Sequence, residues 1–170
     1  MIERGAFAPL FLNGIWLNTI VAKYSYLADG TKLSAVNADD CGFSYRGSFT
    51  YRTDESSQPD RVFESTSFGG GRIVGTVDDE TEVRYFLTDH LGSTRVVAKV
   101  TPTERIDLDR KDYYPFGKAW EQPDMPTSDN RYTFSGKEKQ HLRFQEIDYA
   151  DFGARFYDSD GVHFLQQDPL

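Results

Sequence analysis

Tyr24-Ser-Tyr-Leu-Ala-Asp-Gly-Thr-Lys-Leu33 and Tyr85-Phe-Leu-Thr-Asp-His-Leu-Gly-Ser-Thr-Arg-Val96 repeat one pattern, in which an aromatic strand runs through Leu-x-Asp to a glycine and on into Thr, a basic residue and an aliphatic one. Phe156-Tyr-Asp-Ser-Asp-Gly-Val-His-Phe164 is a weaker third copy. Alternation with period two marks half-buried strands, and it recurs in Val21–Leu27, Phe43–Tyr51 and Glu82–Leu87. Asp29-Gly30, Gly69-Gly-Gly71 and Asp160-Gly161 predict three hairpins. The Asp-Gly pairs suit type I′ turns, whose two central residues both need positive φ. Repeated hairpins that cannot bury a face singly must stack, so the expectation is an all-β chain of stacked antiparallel hairpins in an extended sheet.

Composition agrees with strands. The 170 residues include 13 Phe, 10 Tyr and 14 Gly, and 38% of the chain is hydrophobic. A net charge of −8, with Lys and Arg scattered, argues against a nucleic-acid partner. Cys41 is the sole cysteine, which excludes an intrachain disulfide and a cysteine-based zinc site. The apolar stretch Ala6–Leu17 is interrupted by Pro9, Asn13 and Gly14 and matches neither a membrane span nor a signal peptide. Thr53–Asp60 and Glu121–Asn130 are polar, acidic and proline-containing, and read as exposed loops. Thr103–Asp112 has little apolar periodicity and reads as a loop or strand edge. These breaks divide the chain into an unassigned strand-like segment at 1–23, hairpins at 24–120 and a C-terminal part at 131–170.

Four further words complete the reading: Asp89-His-Leu-Gly-Ser-Thr-Arg95, Tyr114-Pro-Phe-Gly117, Arg131-Tyr-Thr-Phe-Ser-Gly-Lys-Glu138 and Asp151-Phe-Gly-Ala-Arg-Phe-Tyr-Asp158. In this order they resemble the RHS repeat-associated core of RHS/YD-repeat proteins of polymorphic toxin type, with wording most similar to members from Bacteroidetes. The resemblance covers about Tyr24–Leu170. It implies stacked YD-repeat hairpins forming a curved or spiralling sheet that winds into a toxin-encapsulating shell, a secreted or envelope-associated setting, and protein partners: a neighbouring RHS chain, the parent shell or the toxin cargo. It implies no cofactor.

The resemblance also implies a candidate chemistry. Family cores cut their own chain with an aspartyl dyad, two carboxyls sharing one proton. Asp168 of Asp168-Pro169 matches the first Asp-Pro motif; its partner would lie in a second motif that this sequence does not contain. The expectation is a core fragment ending at the first motif, without catalysis of its own. Gly161-Val-His-Phe164 stands where the family has Gly-Arg-Phe, so His163 replaces an arginine whose permanent charge and fork it cannot supply.

The residues themselves favour structural roles. Pro115 biases Tyr114 to an extended backbone, and Gly117 allows a reversal. Gly136 and Gly153, flanked by aromatics, suit bulges or close backbone approach. Arg131 and Arg155 are expected to be partly buried, forking onto carboxylates such as Asp148 or Asp158 or stacking on rings, with contact to cargo or a shell partner as the rival role. His90, His141 and His163 have no metal-ligand spacing, and Gly69-Gly-Gly-Arg72 lacks a phosphate-loop signature, so no metal is expected. Two other readings stay open: half of an autoprocessing aspartyl peptidase completed by another chain, and an extracellular carbohydrate-binding or adhesion module using exposed aromatics such as Trp16 or Trp120. Open strand edges also suit a homo-oligomer.

Overall fold

The structure, a computed structural model, describes residues 2–12, 15–54, 61–76, 80–120, 123–142 and 145–168, with side chains for these apart from 2–21 and 141–148. The 55–60 part of the first predicted loop, Glu121 and Gln122 of the second, and the side chains of Trp16, His141 and Asp148 therefore lie outside the described residues. The chain divides into two units, Met1–Glu64 with Leu142–Glu146, and Ser65–His141 with Ile147–Leu170.

Both units are built of antiparallel hairpins, as the sequence predicts, and no α-helix occurs among the described residues. In the first unit β1 (Ile2–Leu12), β2 (Ile15–Tyr26), β3 (Lys32–Val36), β4 (Gly42–Arg46) and β5 (Phe49–Thr53) follow one another in chain order. In the second unit β6 (Val62–Phe68), from Ser65 onward, is followed in order by β7 (Gly71–Gly75), β8 (Thr81–Thr88), β9 (Thr94–Val100) and β10 (Arg105–Arg110). That last strand is the one read as a loop or strand edge. The short hairpin β11 (Asp112–Tyr113) and β12 (Ala119–Trp120) comes next, and then β13 (Glu138–Leu142), β14 (Gln145–Asp151), β15 (Phe156–Asp158) and β16 (His163–Phe164) in a further sheet.

One loop geometry recurs. In Leu27–Thr31, Asn37–Cys41, Asp89–Ser93, Tyr114–Lys118 and Thr133–Lys137 the first amide donates to the fifth carbonyl at 2.8–3.1 Å, and the fourth amide donates to the first carbonyl at 3.0–3.2 Å. The fourth residue is left-handed every time: Gly30 (φ 87°), Asp40 (59°), Gly92 (78°), Gly117 (92°) and Gly136 (64°). This is a three-residue hairpin loop whose left-handed residue returns the chain to the ladder, the reason four of the five positions are glycine. Where the first residue is Asn37 or Asp89, its Oδ1 also accepts the third and fifth amides, at 2.9 or 3.0 Å. The first, third, fourth and fifth amides of such a reversal are thereby paired within the loop.

Three details depart from the sequence reading. Asp29 has no positive φ, so Asp29-Gly30 forms the five-residue loop and not a type I′ turn; the Asp29 Oδ1 accepts the Thr31 amide at 2.9 Å. At Asp160-Gly161 the left-handed residue is Val162, in a four-residue connection between β15 and β16. Phe43–Tyr51 is a hairpin and not one strand: it reverses at Gly47-Ser48, and Arg46 pairs with Phe49. Odd positions then pair with even ones, which puts Phe43 and Tyr45 on one face of this hairpin and Phe49 and Tyr51 on the other.

Among the residues with described side chains, buried apolar ones are few and mostly small: Ala22, Tyr24, Tyr26, Ala35 and Cys41 in the first unit, Val74, Val97, Ala98 and Ala150 in the second. Ser65, Arg72, Asp109, Thr133, Glu138 and Gln140 are buried beside the latter set, so polar pairing carries much of the interior. The β8 strand shows the consequence. Its half-buried positions are Glu82, Arg84 and Phe86, whereas Val83, Tyr85 and Leu87 are exposed. Charge faces inward there because Arg84 pairs with Glu82 and Asp129, and Lys99 reaches Glu82 at 2.6 Å.

The loop geometry separates two substitutions. A Cβ on Gly92 would have its nearest neighbour at 4.0 Å, whereas one on Gly117 would lie 2.4 Å from the Phe134 ring. Gly92→Ala should cost the left-handed strain alone, about 1–2 kcal/mol, and Gly117→Ala that strain plus an overpacking cost of about 1–3 kcal/mol; urea unfolding of the two variants measures the difference.

Candidate functional site

The four words meet in the second unit. Ser93 Oγ accepts the Ser135 amide at 3.0 Å and the Thr94 amide donates to the Thr133 carbonyl at 3.0 Å, so the loops 89–93 and 133–137 lie against each other. Tyr113 reaches the same place and donates its hydroxyl to the Thr94 carbonyl at 2.8 Å. Burial pushes that phenol's pKa well up, and the nearby Asp109 carboxylate adds to the shift.

Around this contact the aromatics form a continuous chain. Tyr113 and Phe134 have ring centroids 6.0 Å apart, Phe134 stacks on Tyr157 at 6.2 Å, and Tyr157, Phe152 and Phe164 meet edge to face at 5.3–5.7 Å. Such pairs contribute about 0.5–1.5 kcal/mol each beyond their area. Cations cap the chain: Arg155 lies 3.9 Å from the Phe164 centroid, Lys137 5.2 Å from Phe152 and Arg95 5.2 Å from Tyr113. Gly117 lies under the Phe134 ring, which leaves no room for a side chain at that position.

The carboxylates hold the basic residues in place. Asp89 pairs with Arg95 at 2.9 Å, and the same guanidinium reaches Asp112 at 3.0 Å. Burial pushes Asp89 up, but the Ser93 amide, Arg95 and the Leu91 amide outweigh it, and its pKa is lowered. Arg131 is buried and pairs with Glu138 at 3.1 Å. Asp109, also buried, takes both Lys111 contacts at 2.6 and 2.7 Å and the Ser128 hydroxyl at 2.9 Å. Nothing in the spacing around Asp109 or Ser128 marks them; only the fold joins them.

The remaining sequence-predicted residues take distinct places. Gly136 packs on Gly92, since a Cβ there would meet the Gly92 carbonyl at 3.3 Å. Gly153 is left-handed in open space, its amide donating to Asp151 at 2.7 Å. Asp158 accepts the Asp160 amide at 2.8 Å and so shapes the β15–β16 turn. Arg155 turns to Phe164 and to Asp168, whose carboxylate it meets at 3.2 Å. Asp168 is 68% exposed at its side chain, in the geometry of a surface ion pair. The Gln166 side chain accepts the Phe156 amide at 2.7 Å and the Leu165 amide donates to the Phe156 carbonyl at 2.9 Å, which fixes the segment leading to Asp168. His90 and His163 are exposed, and no group of three metal-ligating side chains gathers among the described residues.

The Tyr114–Lys118 loop carries a backbone feature the sequence did not flag. Phe116 follows Pro115 at φ 75°, in the turn position that normally takes glycine, at a cost of order 1–3 kcal/mol. Its carbonyl accepts the Tyr157 hydroxyl at 2.9 Å, which holds the strained residue in place.

No family model and no curated protein matches the chain. Among solved structures it is similar to one described as the crystal structure of TcdB2-TccC3, at 18% identity and a TM-score of 0.67, over 87% of this chain and 8% of that one. The likeness shows the fold, an arrangement of antiparallel hairpins; the chain spans a small part of the length of its neighbour.

Two measurements probe the packing. Arg131→Met leaves Glu138 buried without its cation and should cost about 3–5 kcal/mol in chemical unfolding. Glu82 sits below its ordinary value of 4.5, mainly through the Lys99 hydrogen bond, with burial opposing. A depressed carboxylate contributes stability above its unfolded value and loses it as pH falls through the folded one. Lowering pH below about 4.5 should therefore destabilise the chain, and Glu82→Gln should flatten that part of the stability–pH curve.

Proposed function

We propose that this chain is a structural piece of an RHS core, contributing hairpin layers to a larger toxin-encapsulating β shell and carrying no catalysis of its own. The observation that supports the reading is the fold likeness to TcdB2-TccC3 across most of this chain and a small share of that one. The site points the same way. Its four aromatic-glycine words are taken up by loop closure, ring packing and ion pairs, which are the interactions that hold stacked hairpins in register. Asp168 meets a guanidinium, whereas a shared-proton dyad sets a second carboxyl beside the first.

On this reading the partners are proteins: further lengths of β-repeat chain, or the shell's contents. No helix among the described residues is long and apolar enough to cross a membrane.

Extending the chain past Leu170 by about twenty residues, a span long enough to resolve as a mass change, tests the absence of catalysis. Intact mass should persist over days, identically for wild type and Asp168→Asn. Release of the extension by wild type alone would replace this reading with that of an autoprocessing aspartyl peptidase.

A further inference from the structure

A cavity of about 300 Å³ lies in the second unit, beside Phe86 and Thr88 of β8. Gly70, Gly92 and Gly136 form part of its wall, so the glycines that reverse the chain also keep this space clear of side chains. Two deeply buried polar residues line it: Arg72, 4% exposed, and Thr94, 3% exposed. The Arg72 guanidinium donates to the Ser65 hydroxyl and lies 4.5 Å from the centroid of the Tyr132 ring. It is the single charge among the lining residues, and no carboxylate stands with it. The backbone of Thr94 is fully engaged, its amide with the Thr133 carbonyl and its carbonyl with the Tyr113 hydroxyl. Its own hydroxyl is buried and meets no hydrogen-bond partner among the described residues. A buried hydroxyl in that state is costly, and on a cavity wall it points to a partner that arrives with a ligand.

The register sets the length of that ligand. Arg72 pairs with Arg84 and Thr94 with Thr88, four positions further along β8, and Phe86 stands midway between them. Four residues of strand span about 13 Å, from which the reach of the Arg72 side chain is subtracted. A molecule bridging the two groups is therefore several ångströms long, anionic at one end, apolar in the middle and polar at the other end. We propose that this cavity binds a small hydroxyaryl carboxylate, with the carboxylate on Arg72, the ring over Phe86 and the hydroxyl on Thr94. A cavity of about 300 Å³ stands at the lower end of small-molecule sites and suits one ring better than a nucleotide or a peptide. A phosphate, with about two negative charges, asks for more than one cation. The net charge of −8 opposes adsorption of anions elsewhere on the surface, which leaves selection to this buried guanidinium.

Titration of the full chain with 4-hydroxyphenylacetate, followed by calorimetry and by amide chemical shifts, tests this. Saturable binding with a Kd of about 1 mM or tighter is expected, with shifts centred on the amides of Gly70 and Gly92. The uncharged 4-hydroxyphenylacetamide and the hydroxyl-free phenylacetate should each bind about tenfold more weakly or worse. Thr94→Val keeps the shape and removes the buried hydroxyl. It should erase the preference for 4-hydroxyphenylacetate over phenylacetate while leaving the melting temperature unchanged or raised, a split that a merely structural threonine would not give. Failure to saturate, equal affinity for the acid and its amide, a hydroxyl preference that survives Thr94→Val, or shifts confined to residues away from the cavity would each overturn the proposal.

Discussion

Everything else in this chain depends on a left-handed residue at the fourth position of a five-residue loop. A chain made of short hairpins must reverse every few residues, and each reversal strands amide and carbonyl groups that a sheet would have paired. The loop solves this with two backbone hydrogen bonds, and the conformation it demands is one that glycine adopts at little cost. Asp40 shows that a short polar residue can substitute where Asn37 supplies side-chain acceptors on the same loop.

Because the loops close themselves, the sheets need little apolar core. Among the residues with described side chains the buried hydrophobic set is small, and the second unit is held by ring chains and by carboxylate–guanidinium contacts that include buried partners. This division explains why the sequence is rich in aromatics and acids while only 38% hydrophobic. It also explains the inverted burial on β8, where an internal charge network allows Val83, Tyr85 and Leu87 to face outward.

Much of the fold was legible because hairpins write themselves locally. Period-two alternation and glycine punctuation locate strands and reversals directly, and the four aromatic-glycine words point to a shared packing role. What the sequence hides is parity and partnership. The Phe43–Tyr51 alternation runs unbroken through a reversal because a two-residue loop does not disturb it, so one strand and two look alike. Aligning Asp29 with Asp89 is natural by eye, yet the loop is counted from its left-handed residue, which makes Asp29 third and Asp89 first. Arg131 found Glu138, seven residues on, and Arg155 found Asp168; the choice among nearby acids is made by sheet register, which composition does not encode. Tyr114 and Trp120 were visible only as single aromatics until the β11–β12 pairing stacked one on the other.

The most direct test of loop closure as the organising constraint is residue-resolved hydrogen exchange on the intact chain. The amides of Asp89, Tyr114 and Thr133, each the first of its loop, should be protected like the neighbouring strands, while the loop-tip amide of His90 exchanges quickly. Uniformly fast exchange across residues 89–93, 114–118 and 133–137 would contradict the account, since reversals that stay open cannot set the register of the hairpins they join.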